Sequence, residues 1–370
     1  MKYRKKENAT MKKSMIKIAS SLLLVSLLAG CGASNGSGQS SDQSKKEAGQ
    51  LNLYTWEGMF PQEVLDGFEK ETGIKINYSN YDFGETMLTK LQAAKGGEYD
   101  LVITDDYIVE TVIAEGLAQK LDKSKLPSIG NVNPVFQGQF FDPSDEYTVP
   151  YGAGVQTIVY NPAAVDLPIT GYADLWDSSL KDSLGIVANY RVINGMALKV
   201  LGESYNTEDM DKIQAAGDKL LELAPNIRLI KDDNLQDDLI SGEINAAIMY
   251  TSQVTQAKMA NPELEVVFPT EGIGLGIMPS FIPSQAPNPD AAYSFLEYVL
   301  KPENAAKCFE WLGYYSTNKA ADGLIAEEYR DFLTLPADFS GDTEMIQNIS
   351  SEAQDLHAKV WTEFKTACGQ

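Results

Sequence analysis

One histidine, His357, and three cysteines, Cys31, Cys308 and Cys368, are all that 370 residues offer for zinc or for imidazole-assisted chemistry. A Cys/His metal centre or a histidine-based triad needs more, so neither a metal nor a catalytic residue is expected. Basic residues are also short: 30 Lys and Arg stand against 52 Asp and Glu, a net charge of −22. That balance excludes nucleic acid as a partner, because a polyanion is repelled instead of steered in. What is present is length enough for two domains and 44% hydrophobic residues, ample for packed cores.

The charge is uneven. Residues 1–30 hold seven Lys/Arg and one Glu, and the remainder carries a net −28. Lys12, Lys13 and Lys17 precede an apolar run over 18–29 that is too short to span a bilayer comfortably. It ends in Leu28-Ala29-Gly30-Cys31, which resembles the lipobox of bacterial lipoproteins, cleaved before a cysteine that is then acylated. Residues 1–30 are therefore expected to be a signal peptide, complete whether it starts at Met1 or Met11. Lipidation at Cys31 would hold the protein on the extracytoplasmic face of a bacterial cell membrane. Residues 31–50 are read as a disordered tether: 32–50 contain no large apolar residue, and such a stretch reaches roughly 25 Å. Cys308 and Cys368 could pair or stay as two buried thiols; the sequence does not decide.

From residue 51 the apolar pattern alternates between strand and helix periods. Leu51-Asn52-Leu53-Tyr54-Thr55-Trp56 reads as a strand. Pro61 suits the first turn of a helix that Gly73 stops. A strand over 74–78, a helix over 85–94 and a buried strand over 100–104 follow, then a helix carrying Val109, Val112 and Ile113. Further strands are expected at 155–160, 184–188, 227–230, 246–250, 266–269 and 277–282. Helices are expected around Ile193 to Val200 and at 213–223, 235–240, 291–300, 303–312 and 345–364. The pattern predicts an α/β fold with two lobes, whose ligands sit beyond the carboxyl ends of strands.

Three strand ends carry chemistry. Trp56 and Glu57 follow the first, Asp105, Asp106 and Tyr107 the third, and Tyr250 closes a strand of the second half. Tyr190 follows the strand at 184–188, and Tyr314 follows a helix. Each taken alone is a packing or capping residue. Together, aromatic faces with carboxylates make a box for an organic cation or an amphipathic small molecule. Gly272, Gly274 and Gly276 lack phosphate-loop spacing and read as a flexible connection. His357 reads as solvent-facing, and the acids at 232–233 and 237–238 as solvated faces or caps.

The stretches LNLYTWEGMFPQEVLDGFEKETGIKINY, YDLVITDDYIVETVIAEGLAQKLDKSKL, YTVPYGAGVQTIVYN, SGEINAAIMYTSQV and WLGYYSTN resemble the spermidine/putrescine-binding proteins of ABC importers. The resemblance runs from Leu51 through essentially the whole mature chain. It implies a two-lobed type II periplasmic-binding-protein fold, each lobe a mixed sheet flanked by helices, with the ligand cleft between them. Lobe I would span 51–153 and 278–323, and lobe II 154–277 and 324–370. It implies no enzymatic activity and no cofactor. The partners would be a small organic solute, a polyamine by family, and an ABC permease, with the protein itself a monomer. Trp56, Tyr107 and Tyr314 match family aromatics, and Tyr250 stands where the family has tryptophan. The amine-recognising carboxylates are replaced by Asn189, Val192 and Met278, and a stacking tryptophan by Gly276. Glu57 and Asp105 instead replace neutral residues beside the same cleft, so a charge anchor is expected to have moved there. Two other readings remain: the same role for a different polar or zwitterionic solute, and an extracellular hydrolase using paired carboxylates.

Overall fold

The computed structural model describes residues 49–232, 234–334 and 343–370. The first half of lobe I is a strand–helix alternation: β1 Gln50–Thr55, α1 Gln62–Thr72, β2 Lys75–Asn80, α2 Gly84–Ala93, β3 Leu101–Ile103 and α3 Asp106–Ala114. Pro61 occupies the N-cap of α1 in extended geometry, and Gly73 ends it at φ 74, a left-handed turn that glycine enters without strain. β1 pairs in parallel with β2 on one side and β3 on the other.

The period of two along β1 sorts its side chains between two apolar layers. Leu51 and Leu53 meet Val64 and Phe68 of α1 and Phe295 from a later helix. Tyr54 points the other way, to Met87 and Leu91 of α2 and Val109 and Val112 of α3. Burying each such side chain contributes about 1.5–3 kcal/mol, so both faces of this sheet are committed to helices.

β4, Thr148–Tyr160, then runs out of lobe I. Its residues from Thr148 to Val155 pair antiparallel with a later strand, and those from Gln156 to Tyr160 pair with a strand of lobe II. Lobe II continues as β5 Leu184–Ile186, α4 Tyr190–Val200, α5 Met210–Leu223, β6 Ile227–Ile230, α6 Leu235–Ser241, β7 Ala246–Tyr250, α7 Thr251–Ala260 and β8 Glu265–Val267. β9, Ile273–Phe281, returns to lobe I along β4 and ends against β3. α8 Pro289–Leu300, α9 Pro302–Leu312 and α10 Glu327–Leu333 follow, then β10 Thr343–Met345 beside β9 and α11 Ser351–Ala367. The strand order is β2-β1-β3-β9-β4-β7-β5-β6. Lobe II has its own core, built on Ile158, Ile186, Ile193, Leu220 and Ile248, and α11 closes it with Trp361 and Phe364.

Several expectations change. Gly274 and Gly276 are not a flexible connection; they lie inside β9, where pairing with β10 at Gly274 and with β4 at Gly276 holds them extended. The helix expected over 345–364 begins only at Ser351, because 343–345 pair with β9 as a strand. α7 and α10 had no place in the sequence reading. His357 is fully buried, not solvent-facing, between α11 and α4. Cys308 and Cys368 are both free thiols, the first in the lobe I core and the second against that of lobe II. The signal, Cys31 and tether fall outside the described residues, but for 49 and 50. No helix among the described residues is long and apolar enough to cross a membrane.

Candidate ligand cleft

β3 ends at Ile103, and the chain turns into α3 through Thr104 and Asp105. Asp105 takes the N-cap position in extended geometry, yet its carboxylate makes no capping bond. One of its oxygens lies instead against Gly84 at the start of α2, 3.2 Å from where a Cβ would stand. Glu85, the next residue of α2, accepts a hydrogen bond from the Tyr107 hydroxyl at 3.2 Å. Burial, and then the neighbouring charge of Glu85, push the Asp105 carboxyl up to about 7.

Asp106 turns the other way. Its Oδ2 accepts from the Ile277 N–H at 3.0 Å and its Oδ1 from the Tyr107 N–H at 2.8 Å, tying α3 to β9. Burial holds its carboxyl raised, at about 8. This residue is a tie between elements, its oxygens already engaged by backbone.

Trp56 is half-buried at the end of β1, its ring 5.2 Å from that of Tyr81, while its carbonyl accepts from the Tyr78 hydroxyl at 2.6 Å. Tyr81 in turn lies within electrostatic reach of Asp105. Glu57 follows, exposed, and its charge touches Tyr78, whose hydroxyl burial pushes up to about 12.

In lobe II, β5 and β7 end side by side. Asn189 caps α4, its Oδ1 accepting from the N–H groups of Arg191 at 3.0 Å and Val192 at 3.2 Å, and it also hydrogen-bonds the Tyr250 hydroxyl. Val192 is buried in the lobe II core, where a carboxylate would lack solvation. Tyr190 is half-buried and sits near Glu85 and Tyr107, so α4 of lobe II faces α2 and α3 of lobe I.

Between the lobes, Met278 and Tyr314 lie over β4. The Tyr314 ring presses on Gly154 so closely that a Cβ there would come within 2.6 Å of it, and Met278 Cε stands equally close to Gly152. Only glycine lets the crossing strand pass beneath both side chains. Gly276, paired with Gly154 in register, has nothing within 4 Å of its Cβ position, so the space left by an absent large side chain stays open. The Tyr314 hydroxyl bonds to Ser252. Burial raises the hydroxyls of Tyr250 and Tyr314, and both feel the charges of Asp105 and Asp232.

The structure thus gathers Asp105, Tyr107, Tyr190, Tyr250 and Tyr314, with Trp56 reached through Tyr81. Asp106 and Asn189 spend oxygens on backbone N–H groups, and Glu57 acts on Tyr78. Sequence reasoning missed Glu85, taken as a helix start, while Asp232, taken as a solvated face or cap, is exposed. Asp232 stands two residues beyond the end of β6, within the stretch where the strand-end rule looks for polar groups. A separate polar groove between α1 and α8 offers a cation little. Its Lys125–Asp290 and Lys301–Glu71 pairs are closed at 2.7 Å each, and Glu297 is held by Ser128.

A family model described as bacterial extracellular solute-binding protein matches residues 63–331. The spermidine/putrescine-binding periplasmic protein of Salmonella typhimurium is 39% identical over 290 residues, covering 78% of this chain and 83% of the relative. Among solved structures, a spermidine/putrescine ABC transporter substrate-binding protein from Streptococcus pneumoniae, in complex with calcium and HEPES, superposes with a TM-score of 0.77. It is 31% identical and covers 87% of this chain and 100% of its own. A putative spermidine/putrescine ABC transporter protein from Listeria monocytogenes gives 0.79 at 30% identity, covering 86% and 99%.

Proposed function

The chain belongs to the bacterial extracellular solute-binding proteins, and on that premise we propose that it captures a polyamine or related organic amine and delivers it to an ABC permease. Its role is binding, not catalysis, which sets the hydrolase reading aside. The observation that carries the amine reading is the cleft itself: Asp105, raised by burial and by Glu85, opens among Tyr107, Tyr190, Tyr250 and Tyr314. A protonated amine entering there restores a counter-charge to a poorly solvated carboxylate, and its methylene chain lies against aromatic faces. Names of relatives at 39% and 31% identity support the same class.

In this reading the ligand-binding residues are Trp56, Glu57, Asp105, Tyr107, Tyr190, Tyr250 and Tyr314, with Met278 lining the floor and Asn189 holding Tyr250. Asp106 supports them from behind. Lobe I comprises 51–153 and 278–323, and lobe II 154–277 and 324–370, closing over the solute as a monomer. Cys31 is the acylated residue of the mature lipoprotein; Cys31→Ser should release the protein from membranes or leave an uncleaved precursor. Membrane retention of a processed Cys31→Ser protein sinks the anchor.

A second reading, a different polar or zwitterionic solute, rests on the absent carboxylates at Asn189, Val192 and Met278. A thermal-shift screen with spermidine, putrescine, amino acids and sugars separates the two, because a ligand stabilises by RT ln(1 + [L]/Kd). Stabilisation by amines alone is the expected result. A shift with amino acids or sugars and none with amines would transfer the assignment.

A further inference from the structure

We infer that Asp232 is a second anionic anchor, set on lobe II opposite Asp105, so that the cleft reads both ends of an α,ω-diamine. This rests on the amine reading above and goes further, naming a ligand geometry and a residue outside the family-matched positions.

The geometry is as follows. Asp232 follows β6 at the mouth of lobe II, and it is solvent-exposed. Its Oδ1 accepts from the Ala188 N–H at 2.9 Å, which fastens it to the loop whose next residue, Asn189, holds the Tyr250 hydroxyl. Its carbonyl accepts from Gln253 Nε2 at 2.7 Å, and Gln253 Oε1 in turn accepts from the Tyr250 N–H at 3.2 Å. One carboxylate oxygen is thus fixed to the loop after β5, and the backbone behind it to Gln253 of α7.

Tyr250 and Tyr314 stand within electrostatic reach of both Asp232 and Asp105. Two carboxylates, one from each lobe, thus act on the same two tyrosine hydroxyls. The positions where lobe II would otherwise present acid are spent: Asn189 caps α4 and Val192 is in the core. A ligand with an ammonium at each end engages both lobes and favours the closed state over the open one. An amine with a single charge engages Asp105 alone and gains nothing from Asp232.

Calorimetric titration of putrescine and of butylamine into wild type and Asp232→Asn tests this. Asparagine keeps an oxygen for the Ala188 N–H, and an unchanged melting temperature of the ligand-free variant checks the fold. The expected result is a loss of about tenfold or more in putrescine affinity, the size of one charge-assisted hydrogen bond, with butylamine changed less than twofold. A butylamine affinity too weak to measure leaves the putrescine ratio to decide. Putrescine binding within twofold of wild type overturns the inference while leaving the amine reading intact, and so does an equal loss for both amines. Wild type that takes up no amine at all overturns both.

Discussion

Asp105 carries the conflict between stability and binding in a single side chain. Its folded pKa, about 7, stands above the ordinary carboxylate value of 3.8. The folded state therefore holds this proton more tightly than the unfolded chain, and stability is lost as pH rises from about 4 to about 7. Above that window the charged carboxylate opposes folding until a cation arrives. Asp105→Asn is therefore expected to melt at or above the wild-type temperature at pH 8, while binding amines more weakly by roughly 1.5–3 kcal/mol. Lower melting with unchanged affinity would return Asp105 to a capping role, which its side chain does not play here. Because a bound ammonium favours the ionised form, putrescine binding at pH 6 should release close to one proton, and at pH 8.5 almost none. Titrations in buffers of different ionisation heat measure that difference.

At the scale of elements, the packing of α11 on α4 makes the sole histidine an acid-sensitive contact. His357 is fully buried, its Nδ1 3.1 Å from Asn194 Nδ2, which also donates to the His357 carbonyl at 2.9 Å. Burial, with the charge of Arg191 behind it, lowers its pKa to about 4. The unfolded chain takes up this proton near pH 6.5 and the folded chain does not, so stability falls as pH drops from about 6.5 to about 4. His357→Gln, which can still accept from Asn194, should lower the melting temperature at pH 7 while flattening its decline between pH 7 and pH 5. Parallel declines in variant and wild type would remove His357 as the cause. Asp105 has the opposite sign over part of this range, so the comparison belongs in one background at a time. A helical wheel places His357 on the buried face of α11 with Ala353, Val360, Trp361 and Phe364, but its partner Asn194 on α4 comes only with the fold.

For the molecule as a whole, the two lobes are joined by continuous strands. β4 changes partners between Val155 and Gln156, and β9 runs beside it with Gly276 in their shared ladder. A third link lies just after β10, where Asn348 Nδ2 donates to the Tyr107 carbonyl and the Thr111 hydroxyl of α3, both at 2.9 Å. The neighbouring Gln347 carbonyl accepts from Arg191 of α4 at 3.2 Å. The closure proposed above would twist paired strands, a motion absorbed by a few residues at the crossing. Saturating putrescine is expected to reduce the radius of gyration in small-angle scattering. Binding shown by calorimetry with an unchanged radius would contradict capture by closure.

The amino-acid sequence by itself determined the alternation of strands and helices, the limits of α1 at Pro61 and Gly73, and the presence of aromatics and acids at strand ends. These rest on local physics: side-chain periods of 2 and 3.6, caps, and the conformational freedom of glycine. Tertiary structure alone decided which of those acids face the cleft. Asp105 and Asp106 are neighbours with the same side chain, yet one opens among tyrosines and the other is consumed by the Ile277 N–H of a strand 171 residues away. Gly276 reads the same whether in a loop or a ladder, and β9 became a crossing strand only because β4 was there to pair with it. Asp232 is exposed, as its acidic surroundings suggest, but its place beside the loop after β5 came only with the fold. Electrostatic neighbourhood depends on segments far apart in the chain, and no local pattern records it.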